Sequence, residues 1–173
     1  MSVLKWIKER YIYPEFDGRK IRNILHFSLV WNIFERECCQ CNAQINTHSN
    51  QIALALQSDT IPSLEKTWYY FQNRYVANAQ TTEVFNSFEF NSGRRELVSA
   101  ILRSQSPSQA EKTEALLRII FRLRNNLMHG DKEPNMFYEQ DINFKHANAF
   151  LMDICNLYHG QRCPEYSQNR NNS

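Results

Sequence analysis

The sequence predicts an all-α fold, a four- or five-helix bundle. Three observations predict it. Helix breakers are scarce, with four glycines and five prolines in 173 residues. Gly/Asn/Asp turn signals are too few to separate the many short strands of a sandwich or barrel. Apolar residues instead recur at helical spacing in several long segments. An apolar share of 42% in a chain of this length is enough for one core.

The opening stretch, "MSVLKWIKERYIYPEF", carries charges through what would have to be the apolar centre of a signal peptide. No run reaches the roughly 18 apolar residues that a membrane span needs, so a cytoplasmic location without membrane contact is expected. One domain over 1–160 and a polar tail over 161–173 are expected as well. The first helix is expected from Arg19 to Cys41, with two apolar stripes. Ile21, Leu25, Leu29 and Ile33 form one, and Ile24, Phe27, Trp31, Phe34 and Cys38 form the other. Two stripes imply burial on two sides, centrally or at a subunit interface. "QIALALQS" extends a second helix, and "TIPSLEKTWYYFQNRYV" begins a third with Pro62 in its first turn. Residues 79–92 show no clean period and read as a loop with short extended pieces.

"SPSQAEKTEALLRIIFRLRNNLMHG" has the clearest boundaries. Ser106 is the expected N-cap, Pro107 the first helical residue, Gln109 the capping-box partner and Gly130 the stop. A final helix is expected over Asp141–Tyr158, with Phe144, Ala147, Phe150, Leu151, Ile154 and Tyr158 on one face and a stop at Gly160.

Five cysteines fit a reducing compartment in which thiols pack as small apolar groups. Cys38 and Cys41 form a CxxC, and His159 and Cys163 an HxxxC, so four zinc ligands exist on paper. The first pair lies inside an apolar helix and the second runs into a polar tail, so free thiols and no metal or other cofactor are expected. Gly-rich loops of the Rossmann or P-loop kind are missing.

The helix over 107–129 has one unexpected residue. Leu117, Ile120, Phe121, Leu127 and Met128 share a face at about 100° per residue, and Arg124 projects from the middle of it. A guanidinium there needs either a buried carboxylate or a wet cleft that an anion can reach. Glu35, Glu37 and Asp153 are candidate partners for the first arrangement. Asn125 lies one turn before His129, able to orient its imidazole or share its ligand. Residues 94–124 are also locally basic, with Arg94, Arg95, Arg103, Lys112, Arg118, Arg122 and Arg124 against Glu96, Glu111 and Glu114. Such a stretch suits a polyanion, although exposed helices carry similar charge for solubility.

"RNNLMHG" resembles the signature of the HEPN superfamily: Arg, then a polar residue, then a few variable residues and His, late in a long helix. The match falls on Arg124, Asn125 and His129. Arg122 also stands at a permitted spacing, and the Asn directly after Arg124 selects Arg124. The resemblance implies an all-α domain and, in many members, a metal-independent endoribonuclease that acts as a homodimer with a composite cleft. Arg124 and His129 are five residues apart, about 140° around a helix and about 7.5 Å along it. One rigid helix aims both at one phosphate with difficulty, and a two-fold partner supplies the missing approach.

In this reading His129 moves the 2′-OH or leaving-group proton, Arg124 meets the phosphoryl oxygens and Asn125 holds the imidazole or the phosphate. Arg118, Arg122 and Asn126 bind the RNA. A toxin–antitoxin or antiviral role, with an antitoxin or a nucleotidyltransferase-like partner, follows from the resemblance. The rival readings are a non-catalytic HEPN-like dimerisation or interaction module, and a nucleotide-binding module.

Overall fold

The computed structural model describes residues 1–11, 17–41, 44–88, 90, 92–128 and 136–162. Among these, helix dominates: α1 (Val3–Tyr11), a 3-10 turn (Gly18–Ile21), α2 (Arg22–Cys38), α3 (Ile45–Ala55), α4 (Leu64–Tyr75), α5 (Glu83–Asn86), α6 (Ser92–Arg103), α7 (Gln109–Met128) and α8 (Met136–Arg162). A two-stranded antiparallel ribbon, β1 (Val76–Ala77) and β2 (Gln80–Thr81), separates α4 from α5. Its two-residue turn places Asn78 and Ala79 at φ of 51° and 59°, the left-handed pair that a tight hairpin needs. No helix among the described residues is long and apolar enough to cross a membrane.

Helices α2 and α8 run parallel. Asn23 meets Asp141, Phe27 stacks on Phe144 at 4.6 Å, and Cys38 Sγ lies 4.0 Å from Cys155 Sγ, so the sequence offset between the two helices stays nearly constant. Helix α2 has no side-chain cap of its own at Ile21. Asp141 serves instead, accepting from Asn23 N at 2.9 Å and Nδ2 at 2.6 Å, which satisfies a first-turn donor that the helix cannot. Helix α4 crosses α8 in the opposite sense. Asp153 accepts from Ser63 N at 2.8 Å near one end, and Tyr70 donates to Asn143 at 2.7 Å near the other. Helix α3 is antiparallel to α7, with Asn46 against Arg118 and Asn50 against Glu114. Phe27, Phe34, Phe71, Tyr75, Phe85, Phe144 and Phe150 fill the core between these helices.

Several boundaries differ from the sequence expectation. Helix α7 starts two residues beyond Pro107, because Ser108 and Glu111 form the capping box. Glu111 Oε2 accepts from Ser108 N at 2.7 Å and Oγ at 2.8 Å, and Glu111 N donates back to Ser108 Oγ. These bonds hold the Glu111 carboxyl below its ordinary pKa. Gln109 instead donates to the carbonyls of Leu56 and Asp59 at 2.6 and 2.7 Å, tying α7 to the end of α3. Pro62 precedes α4 rather than opening it. Helix α8 begins before Asp141 and runs past Gly160 to Arg162, two residues into the expected tail. The rest of that tail, like His129 and Gly130, lies outside the described residues.

The largest difference concerns α2. The stripe of Ile24, Phe27, Trp31, Phe34 and Cys38 is buried, but Leu25, Leu29 and Ile33 remain 54%, 69% and 42% exposed. Among the described residues, nothing buries this second side of α2. One side of α2 meets α8 and the core, and the opposite side carries an open apolar stripe.

Candidate functional site

The last two turns of α7 differ from the turns before them. From Ala115 to Ile120 every residue is buried, whereas Phe121, Arg122, Arg124, Asn125, Asn126 and Leu127 are half-buried and Met128 is exposed. Only Leu123 continues the core there. Neighbouring helices therefore clamp the first part of α7 and leave its end beside solvent.

Arg124 lies over the indole of Trp31, its Cζ 5.8 Å from the ring centroid. The indole is fixed from several sides. Phe27, Phe34 and Phe121 surround it at 6.0, 5.4 and 5.9 Å, and its Nε1 donates to Glu35 at 3.1 Å. The π face attracts the guanidinium and shields one side of it from water. Arg124 Nη1 donates to Asn125 Oδ1 at 3.1 Å, while its Nε meets no hydrogen-bond partner among the described residues. No carboxylate among the described residues lies within 4 Å of it. Each partner suggested by the sequence is engaged elsewhere: Glu35 by Trp31, Glu37 by Arg36 at 3.0 Å, and Asp153 by the Ser63 amide.

Arg118 is held very differently. It is 8% exposed, and Glu114 Oε1 accepts from its Nε at 3.1 Å and Nη2 at 2.6 Å. Asn46 of α3 accepts from Nη1 at 2.9 Å and, through its carbonyl, from Nη2 at 3.4 Å. Arg118 thus pins α7 to α3 as well as bordering the site.

Arg118, Phe121, Arg122 and Asn125 follow one another at i, i+3, i+4 and i+7 and form one wall of a shallow cleft of about 300 Å³, its open mouth included. Ile45 of α3, Arg94 of α6 and Phe90 complete the lining. Asn125 joins the two features, since its carboxamide takes Arg124 and also borders the cleft. Asn126 is half-buried one turn beyond Arg122 and is not part of that lining. The structure therefore brings Arg124 to Asn125, and Arg118 and Arg122 to the same cleft as Asn125. His129 lies outside the described residues. Sequence reading placed Arg94 in a basic stretch without giving it a role. Phe90 carries no readable signal, because only the tertiary packing of α6 on α7 brings it to this cleft.

The suggested zinc ligands do not form a described cluster. Cys38 is fully buried against Cys155 and Cys41 is exposed on the turn after α2. The Cys155 thiol, and then burial, push the Cys38 thiol well above its ordinary pKa, which disfavours the thiolate that zinc requires. Among the described residues no three His, Cys, Asp or Glu side chains converge as metal ligands, while the His159 side chain and Cys163 lie outside them.

No family model, curated protein or solved structure matches this chain.

Proposed function

We propose that this protein is a metal-independent endoribonuclease of HEPN type, with Arg124, Asn125 and His129 as its reacting group. The observation that carries this reading is Arg124, a half-buried guanidinium over an indole that, among the described residues, is hydrogen-bonded to a neutral amide and to no carboxylate. A cation held in that way is arranged for an anion that arrives, since a permanent ion pair would occupy its donors. In the proposed reaction the RNA 2′-oxygen forms a bond to its own 3′-phosphorus as the P–O5′ bond breaks. His129 takes the 2′-OH proton or delivers one to O5′, leaving a 2′,3′-cyclic phosphate and a 5′-OH. Arg124 neutralises charge that grows on the phosphoryl oxygens, and Asn125 fixes the guanidinium.

A homodimer, an antitoxin or nucleotidyltransferase-like partner, and a toxin or antiviral role belong to this proposal. The test is incubation of the purified chain with single-stranded RNA and with DNA of the same sequence in excess EDTA. Cyclic-phosphate ends on RNA, intact DNA and loss of cutting in His129→Ala are expected, because DNA lacks the attacking hydroxyl. A wild-type protein that leaves a broad RNA panel intact would sink the reading.

A second reading, the interaction module, has its own observation in the open stripe of Leu25, Leu29 and Ile33. Contiguous exposed apolar residues of this kind mark contact surfaces. The stripe lies on the side of α2 opposite Trp31, so an assembly made through it would leave the Arg124 site uncovered. Sedimentation separates the two readings. If Leu29→Glu turns an assembled wild type into monomers while RNA stays uncut, contact is the function.

A further inference from the structure

Trp31 carries a polar atom into a place that does not need one. Phe27, Phe34 and Phe121 surround its ring at 6.0, 5.4 and 5.9 Å, and the residue is 5% exposed. A fourth phenylalanine would suit such surroundings. An indole adds an N–H that can only donate, and burying it without an acceptor is unfavourable. Glu35, one turn further along α2, accepts it through Oε2 at 3.1 Å. Glu35 is itself half-buried, so a carboxylate is partly withdrawn from water to serve a core ring.

A carboxylate on the indole N–H gives the ring a stronger π face. The bond is charge-assisted and pushes electron density from the N–H into the ring. The face of an aromatic ring carries the negative part of its quadrupole, which attracts a cation lying over it. Arg124 Cζ sits 5.8 Å from the centroid, inside that range. Glu35, Trp31 and Arg124 thus stand in series as anion, polarised ring and cation. Among the described residues no carboxylate, Glu35 included, lies within 4 Å of Arg124. The charge of Glu35 therefore acts on the guanidinium through the ring and takes none of its N–H groups. The other described contact of Arg124 is with Asn125, its neighbour on the same helix. Of the two, only the contact with Trp31 ties the guanidinium to another element.

We infer that Trp31 and Glu35 are positioning residues for Arg124. The carboxylate polarises the indole, and the indole face holds the guanidinium in the orientation in which it meets phosphoryl oxygens. Both act through Arg124 and neither reacts. For what Arg124 meets, the inference rests on the ribonuclease reading.

The test replaces Trp31, and no other tryptophan, by analogues with increasing numbers of ring fluorines. Fluorine draws density from the π face and changes the shape of the ring little. Two quantities are read in excess EDTA: release of cyclic-phosphate ends from single-stranded RNA, and affinity for a labelled oligonucleotide whose 2′-O-methyl groups block attack, by fluorescence anisotropy. Both should fall stepwise with fluorine content, by about tenfold for the most fluorinated ring. In Arg124→Gln the affinity series should be flat, because the ring then has no cation to hold. A ring that serves packing alone would give one slope with and without Arg124. Glu35→Gln keeps an acceptor for the N–H and removes the charge, and should lower the cleavage rate about threefold. In a Trp31→Phe background Glu35→Gln should have no effect on that rate, since the N–H through which it acts is gone. Circular dichroism melting of each variant confirms that it is folded at the temperature used.

A fluorine series that is flat, or equally steep in Arg124→Gln, overturns the inference whether or not RNA is cut. If affinity follows the fluorine series only when Arg124 is present and no RNA is cut, the positioning pair stands and the ribonuclease reading falls. A wild type that neither binds the oligonucleotide nor cuts RNA overturns both.

Discussion

Arg118 and Arg124 stand less than two turns apart on α7, and the helix treats them in opposite ways. Arg118 is buried, doubly bonded to Glu114 and tied to Asn46 across the α3 interface. Arg124 is half-buried, rests on Trp31 and, among the described residues, hydrogen-bonds only a neutral amide. The first arrangement spends every strong donor on the fold. The second commits the guanidinium to no described carboxylate. An arginine on an apolar helix face can thus be a structural bolt or a poised ligand, and the partner decides which.

The largest expected effect tests the structural half of that contrast. Arg118→Ala leaves Glu114, itself mostly buried at 14% side-chain exposure, without its cation, and should cost about 3 kcal/mol of stability. Urea denaturation followed by circular dichroism checks this. A loss below about 1 kcal/mol would put Arg118 in the class of exposed pairs. Arg124→Ala removes no ion pair with a described carboxylate, so its stability should change by less than about 1 kcal/mol in the same denaturation. A loss as large as that of Arg118→Ala would erase the comparison and make Arg124 a second bolt.

The smallest effect concerns a group remote from both arginines. His146 stacks on Tyr70 at 4.1 Å and 10°, and burial, with Lys66 and Lys145 nearby, lowers its pKa. The folded state therefore takes up this proton less readily than the unfolded chain. Its stability contribution is present above the unfolded pKa of about 6.5 and is lost as pH falls from there through the lowered value. Thermal melts across that window should show a slightly shallower decline in His146→Gln than in wild type. Parallel declines would assign the acid sensitivity to other groups.

Much of the bundle was legible because the long helices announce themselves by period. The α2 core stripe and the apolar face of α8 both lie where the spacing puts them. Helix α6 is absent from the sequence reading although Val98, Ile101 and Leu102, all buried, carry a helical spacing. The unpatterned stretch before it masks where its period begins. The α7 start was misplaced by two residues because Ser106 and Ser108 both suit a cap, and only the Glu111 contact distinguishes them. The exposure of Leu25, Leu29 and Ile33 was not legible at all. A period reveals which residues share a face, but the number of neighbours that cover the face is a tertiary property. For the same reason Arg124 could be singled out from its apolar row, whereas its Trp31 partner and the meeting of Arg94 with Asn125 in one cleft could not.

The most direct measurement of the central claim is the initial rate at which wild type and Arg124→Ala release 2′,3′-cyclic phosphate ends from single-stranded RNA in excess EDTA. Both proteins should be compared at a temperature where each is fully folded. Loss of a donor that meets charge growing in the transition state predicts a rate about 100-fold or more below wild type, with partial recovery in Arg124→Lys because a point charge replaces the fork poorly. Equal rates in the two proteins would contradict the account, since the guanidinium over Trp31 would then have no part in the reaction.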